Sequence, residues 1–200
     1  MDIPVFPVRS ETEVRRSRFI TDLEGVADRS RAEELIRFRR EQHPGATHVV
    51  YAFIVGPEGS QLWGMSDDGE PKGTAGRPVL EILKGSGLTN LLVTVVRYYG
   101  GIKLGTGGLV RAYGDALRQG LALVERQPLR FLSCRDITCS YELQNPVRMV
   151  LARFGAEIRQ EDFSEAVRFR VAVDQEKLDA LCGELRDVSR GTILIEDSDR

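Results

Sequence analysis

Cysteine and histidine are scarce in this chain, and their scarcity closes off whole classes of chemistry. The three cysteines, Cys134, Cys139 and Cys182, are odd in number and lack paired metal-ligand spacing, so neither a disulfide framework nor a zinc site is indicated. Cys182 shares helical spacing with Leu178, Leu181 and Leu185 and reads as core filling. His43 and His48 are the only histidines, and no serine sits in a nucleophile-elbow pattern, which leaves nucleophilic catalysis poorly supported. No glycine precedes a Lys-Ser or Lys-Thr pair, as a P-loop requires. No apolar run has bilayer length, and the start, Met1-Asp2-Ile3-Pro4, lacks a basic-then-apolar signal pattern, so a reduced, cytoplasmic protein without membrane contact is expected.

Net charge is also small, at −2, but it is unevenly spread. Residues 71–118 hold seven Lys/Arg against Glu81 and Asp115, whereas residues 129–200 hold eleven against fourteen acids. The first block either faces phosphates or is an ordinary solvated surface.

What is abundant is glycine in one place. Between Arg97 and Arg111, an apolar run feeds a cationic turn in which Gly100, Gly101, Gly105, Gly107 and Gly108 fall within nine residues. Missing side chains let backbone N–H groups approach a ligand, and the helix that follows adds its own unpaired donors and positive dipole end. Lys103 and Arg111 supply the formal charge. The same glycines would also serve a chain that needs positive φ or tight helix-strand packing. Gly105-Thr106-Gly107-Gly108-Leu109-Val110 fails the dinucleotide fingerprint at its last position.

Asp67, Asp68 and Glu70 place three carboxylates within four residues, a set suited to Mg²⁺ or to general acid-base work, although not at EF-hand spacing. Asp-Asp-Gly is equally turn chemistry. The preferred reading is a salt-bridged scaffold in which these acids pair with Arg97, Lys103 or Arg77. A phosphate-handling enzyme remains an alternative, with no cofactor assigned. Trp63, Tyr98 and Tyr99 offer rings for base stacking or for the core; Tyr98 and Tyr99 point to opposite faces of a strand, and Tyr99 is the preferred platform.

The element pattern predicts an α+β chain in two parts, 1–128 and 129–200, with Pro128 as the boundary. In the first, a hairpin over residues 8–23 precedes a helix opened by a Ser30-Arg31-Ala32-Glu33 capping box and carrying Leu35 and Ile36. Strands over 47–55 and 61–65, a short helix over 77–84 and a central strand over 91–96 follow. A long helix with Leu109, Tyr113, Leu117, Leu121 and Val124 on one face then runs to Gln127-Pro128. The second part reads β-α-β-β-α-β, the ferredoxin-like order, with Asn145-Pro146 opening its first helix, Gly155 closing it and Asp174 capping its second.

Four ordered segments carry a family resemblance: Ser17-Arg18-Phe19-Ile20, His43-Pro44 with Ala46-Thr47-His48, residues 66–78 and residues 97–111. Together they resemble the YigZ/IMPACT family, in its bacterial two-domain form, with departures at Tyr99, where Phe is usual, and at Val49-Val50. The resemblance implies a ribosomal protein S5 domain 2-like first domain, followed by a ferredoxin-like domain similar to those of elongation factor G. It also implies a translation-associated role, since eukaryotic relatives restrain a kinase of translation initiation by competing for its ribosome-bound activator. A non-enzymatic protein that touches RNA, a ribosome or a translation factor is therefore expected. Its contacts would be Arg97, Tyr99, Gly100, Gly101, Lys103, Gly105, Thr106, Gly107, Gly108 and Arg111. The supporting loop would be Asp67, Asp68, Gly69, Glu70, Lys72, Gly73, Thr74, Gly76 and Arg77, with His48 as a polar or structural neighbour. A protein adaptor acting through the acidic second domain is a further alternative.

Overall fold

The computed structural model describes residues 1–198, which fall into two compact units, Met1–Leu129 and a second beginning at Arg130. In chain order, the first contains β1 (Asp2–Pro4), β2 (Val8–Val14), β3 (Ser17–Gly25), α1 (Arg29–Gln42), β4 (His48–Val55) and β5 (Leu62–Ser66). There follow α2 (Gly76–Lys84), β6 (Leu91–Tyr98), α3 (Gly105–Leu121) and β7 (Arg126–Pro128). Five of its strands form an antiparallel sheet in the order β2-β3-β6-β4-β5. β6 is central, and the apolar run Leu91–Val96 does not alternate because both of its faces are covered.

One face, carrying Leu91, Val93, Val95, Phe19 and Val50, packs on Val79 and Leu83 of α2 and on Leu109, Tyr113 and Leu117 of α3. The opposite face, with Leu92, Phe53 and Val55, packs on Ala32, Leu35 and Ile36 of α1. The register follows from strand alternation: Arg97 pairs with Phe19 on β3 and His48 on β4, so these three side chains share the α2/α3 face, and Tyr98 lies on the other.

Several helix ends differ from expectation. Asp28, not Ser30, caps α1, its carboxylate accepting the Arg31 amide at 2.8 Å, because the helix starts one residue before Ser30. The helix predicted to run to Pro128 stops at Leu121. Residues 126–128 instead pair with Asp2–Pro4 as a two-stranded ribbon, a long-range pairing with no local signature.

The second unit comprises β8 (Leu132–Cys139), α4 (Gln144–Phe154), β9 (Glu157–Phe163), β10 (Val167–Asp174), α5 (Leu178–Ser189) and β11 (Leu194–Asp197). Its antiparallel sheet has the order β11-β8-β10-β9, the ferredoxin-like arrangement. Ile137, Phe169 and Val171 meet Val147, Leu151, Leu181 and Leu185 of the helices. Gly155 ends α4 in the left-handed region, φ 66°. Asn145 lies inside the first turn of α4 and makes no cap, and Asp174 caps a single 3₁₀ turn that leads into α5. Cys182 is half-buried, because its helix turns Leu181 and Leu185 to the core; the buried thiol is Cys139.

Candidate nucleic-acid interface

The site grows from the end of β6. Arg97 is 5% exposed and Glu70 8% exposed, and Arg97 Nη1 donates to Glu70 Oε1 at 2.6 Å. The Tyr113 hydroxyl, from α3, donates to the same oxygen at 2.8 Å. Burial, and then the adjacent Glu70 charge, hold this phenol protonated far above its ordinary range. Arg97 Nη2 donates to Ser17 Oγ at 3.3 Å, which ties β3 into the network. A charge pair this deep is held by its extra hydrogen bonds as much as by Coulomb attraction.

The acidic loop between β5 and α2 is braced internally. Asp67 accepts the backbone N–H groups of Gly73, Ala75 and Gly76 at 2.8–3.1 Å, and so organises the entry to α2. Asp68 accepts the Val49 amide at 2.6 Å and Arg40 Nη2 at 2.7 Å. Asp68 and Gly69 both take positive φ, the turn chemistry that an Asp-Gly pair supplies. Thr74 is buried and donates to the Pro71 carbonyl at 2.6 Å. Among the described residues no group of three His, Cys, Asp or Glu side chains is placed to hold a metal ion. The three carboxylates have three different partner sets.

His48 Nδ1 donates to the Asp68 carbonyl at 2.8 Å, which leaves Nε2 facing Glu70 Oε2 at 3.8 Å. Thr47 Oγ1 accepts the Tyr99 amide at 3.0 Å and holds the start of the glycine-rich loop. Gly100 was expected to open space for a ligand. It serves an internal contact instead: a Cβ there would overlap the Arg16 carbonyl, and its amide donates to Ser17 Oγ at 3.2 Å. The loop is thereby clamped to the β2-β3 hairpin.

That hairpin brings in residues the sequence reading passed over. Val14 pairs with Ser17, and the two-residue turn is Arg15-Arg16, with φ 48° and 64°. Both arginines are exposed, and Arg15 lines a groove of about 190 Å³ with Gly108, Arg111 and Asp115. Asp115 is paired with Arg118 at 2.8 Å. Arg15, Arg16, Lys103 and Arg111 have no ion pair among the described residues, and neither do the exposed Lys72 and Arg77.

A second, larger pocket of about 420 Å³ lies between β6 and the start of α3. Arg97, Tyr99, Lys103, Gly105 and Thr106 line it, together with His48, Glu70 and an apolar floor from Leu104 and Leu109. Arg111 and Gly108 belong to the other groove, Gly107 and Gly101 are exposed at the surface, and Arg97 is a buried, neutralised group rather than a surface cation. In the second unit, a groove of about 310 Å³ on the open sheet face carries Arg168 and Arg170 among Asp136, Asp162 and Glu196, so its lining is mixed rather than acidic. No helix among the described residues is long and apolar enough to cross a membrane.

A family model for the Impact N-terminal domain matches residues 15–121, and one for a domain of unknown function, DUF1949, matches residues 137–192. The chain is 40% identical to the IMPACT family member YigZ of Escherichia coli, over 96% of this chain and 94% of that one. It is 36% identical to the IMPACT family member YvyE of Bacillus subtilis, over 90% and 83% of the two chains. A crystal structure described as that of a hypothetical protein matches with TM-score 0.70 and 38% identity, covering 100% of this chain and 97% of its own. Protein IMPACT of Danio rerio is 31% identical over 52% of this chain and 33% of that protein. With its Impact N-terminal domain followed by a DUF1949 domain, this chain belongs to the IMPACT family.

Proposed function

We propose that the chain is a translation-associated regulatory protein that docks on RNA of the translation machinery, using the cationic face of its first unit. Family membership supports the translation-associated part, through the resemblance set out above. The observation that carries the RNA part is the clamp between the Arg15-Arg16 turn and Gly100. It gathers cations from segments more than eighty residues apart, while Glu70, Asp68, Asp115 and Asp67 are engaged by Arg97, Arg40, Arg118 and backbone amides.

Arg15, Arg16, Lys103 and Arg111 act as phosphate contacts. They position the protein and carry little base specificity. The Asp67 loop, Arg97 and Tyr113 form the scaffold that fixes the glycine-rich loop. Four phosphate contacts give a log affinity against log salt slope of about −3 to −4, or roughly a hundredfold loss between 50 and 200 mM salt. Co-sedimentation with ribosomes and with free structured RNA across that salt range tests the proposal. An Arg16→Glu/Arg111→Glu variant that keeps its fold should lose the association. Association that ignores both salt and the variant would refute it.

A further inference from the structure

The 420 Å³ pocket beside Tyr99 is far too large for a lone phosphate and is built with two poles. At one pole are Gly105 and Thr106, which open α3, and the exposed Lys103. No side chain caps this helix, and no acceptor among the described residues meets the Thr106 or Gly107 amide. The 17-residue length of α3 gives its N-terminus a full dipole end, which favours an anion.

The other pole is aromatic and apolar, with a polar rear wall. Tyr99 is 45% exposed, and the Arg97 guanidinium lies over its ring at 5.5 Å. Arg97 lines the pocket and is buried, with its Nε enclosed and its two terminal nitrogens bonded to Glu70 and Ser17. Glu70 Oε1 is filled by two donors, whereas Oε2 has only the His48 ring nitrogen near it, at 3.8 Å. The rear wall therefore presents one unfilled acceptor. A purely apolar ligand would leave it unpaired.

We infer that this pocket receives one nucleoside monophosphate unit. Its phosphate sits at the start of α3 and Lys103, its base stacks on Tyr99, and the base edge meets Glu70 Oε2. The unit comes either from a free mononucleotide or from the 5′-phosphorylated end of an RNA docked on the cationic face. The RNA source rests on the function proposed above; the pocket does not.

Isothermal titration of the full chain with AMP, GMP, CMP and UMP, and with inorganic phosphate, tests the inference. At least one nucleotide should bind more tightly than phosphate. Tyr99→Ala should weaken it about 5- to 150-fold, the usual range for a base-aromatic stack, and Lys103→Ala should weaken nucleotide and phosphate together. Both residues are exposed, so the variants should keep the native circular dichroism spectrum. In a second arm, a short 5′-phosphorylated RNA that outcompetes its 5′-hydroxyl twin identifies the RNA end as the source, and equal competition with retained mononucleotide binding identifies the free nucleotide. Mononucleotide binding lost in Tyr99→Ala upholds the pocket even if the ribosome experiment fails. Absence of nucleotide binding by the folded wild type, or phosphate binding as tightly as every nucleotide, overturns it.

Discussion

Glu70→Gln should destabilise the first unit severely, because the carboxylate is the counter-charge of a buried guanidinium. The side chains of Arg97 and Glu70 are 6% and 3% exposed, so solvent does little to screen the pair. Removing one partner of such a pair costs about 3–5 kcal/mol, most of it from stranding the other charge. The glutamine amide keeps one acceptor for Arg97 or Tyr113, which places the variant near the lower end, about 3 kcal/mol. Tyr113→Phe removes one hydrogen bond to a charged group, about 1.5–3 kcal/mol, and since both act on Glu70 Oε1 the double variant should cost less than the sum. The only tryptophan, Trp63, lies on β5 in the first unit, so urea unfolding followed by its fluorescence reports on that unit. A loss below about 1 kcal/mol for Glu70→Gln, or strict additivity with Tyr113→Phe, would refute the claim that the network is a buried charged scaffold.

The Arg15-Arg16 turn holds two L-residues at positive φ, a conformation that costs roughly 1–2 kcal/mol per residue and that Asn-Gly adopts readily. Arg15→Asn/Arg16→Gly should therefore raise the urea midpoint while lowering RNA affinity, and a variant unchanged in both would contradict the assignment. His43 donates or accepts at the Tyr98 hydroxyl at 2.8 Å. Desolvation, followed by the charge of Arg9 and then of Arg39 and Arg18, lowers its pKa below the ordinary 6.5, against the opposing pull of Asp22. A base depressed on folding binds more protons when unfolded, so its contribution is full above about pH 6.5 and is lost as pH falls toward the folded-state value. The urea midpoint should fall between pH 7.5 and 5.5 more steeply in the wild type than in His43→Gln; equal slopes would contradict this.

The parts of the fold legible in the sequence are those written in local periodicity. β6 shows as a nearly continuous apolar run, α3 as a 3.6-residue stripe, and the second unit as alternating strands between helices with apolar stripes. The β1-β7 ribbon was invisible because residues 2–4 and 126–128 are too short to show a period and meet only through tertiary structure. In the site, the glycine-rich loop could be read, but the function of Gly100 could not, since it depends on a backbone that approaches from Arg16. The hairpin turn was missed for a related reason: two arginines carry no turn signature, and only the Val14–Ser17 register forces them into it. Tyr113 was read as core stripe, and its ring does pack there, edge-on to Phe19 with centroids 5.2 Å apart; its hydroxyl adds the link to Glu70. Arg97 shows the converse, a cation whose sequence neighbours suggest a surface contact while strand alternation turns it inward.

The central claim is that the cations around the clamped loop bind RNA phosphates, and the salt dependence of RNA affinity tests it most directly. Fluorescence anisotropy with a labelled structured RNA, from 50 to 200 mM salt, should give a log-log slope of about −3 to −4 for the wild type. Each of Arg15→Gln, Arg16→Gln and Arg111→Gln should make that slope shallower by about 0.7–0.9 without unfolding the protein. A wild-type slope near zero, or a slope that none of the three substitutions changes, would contradict the account.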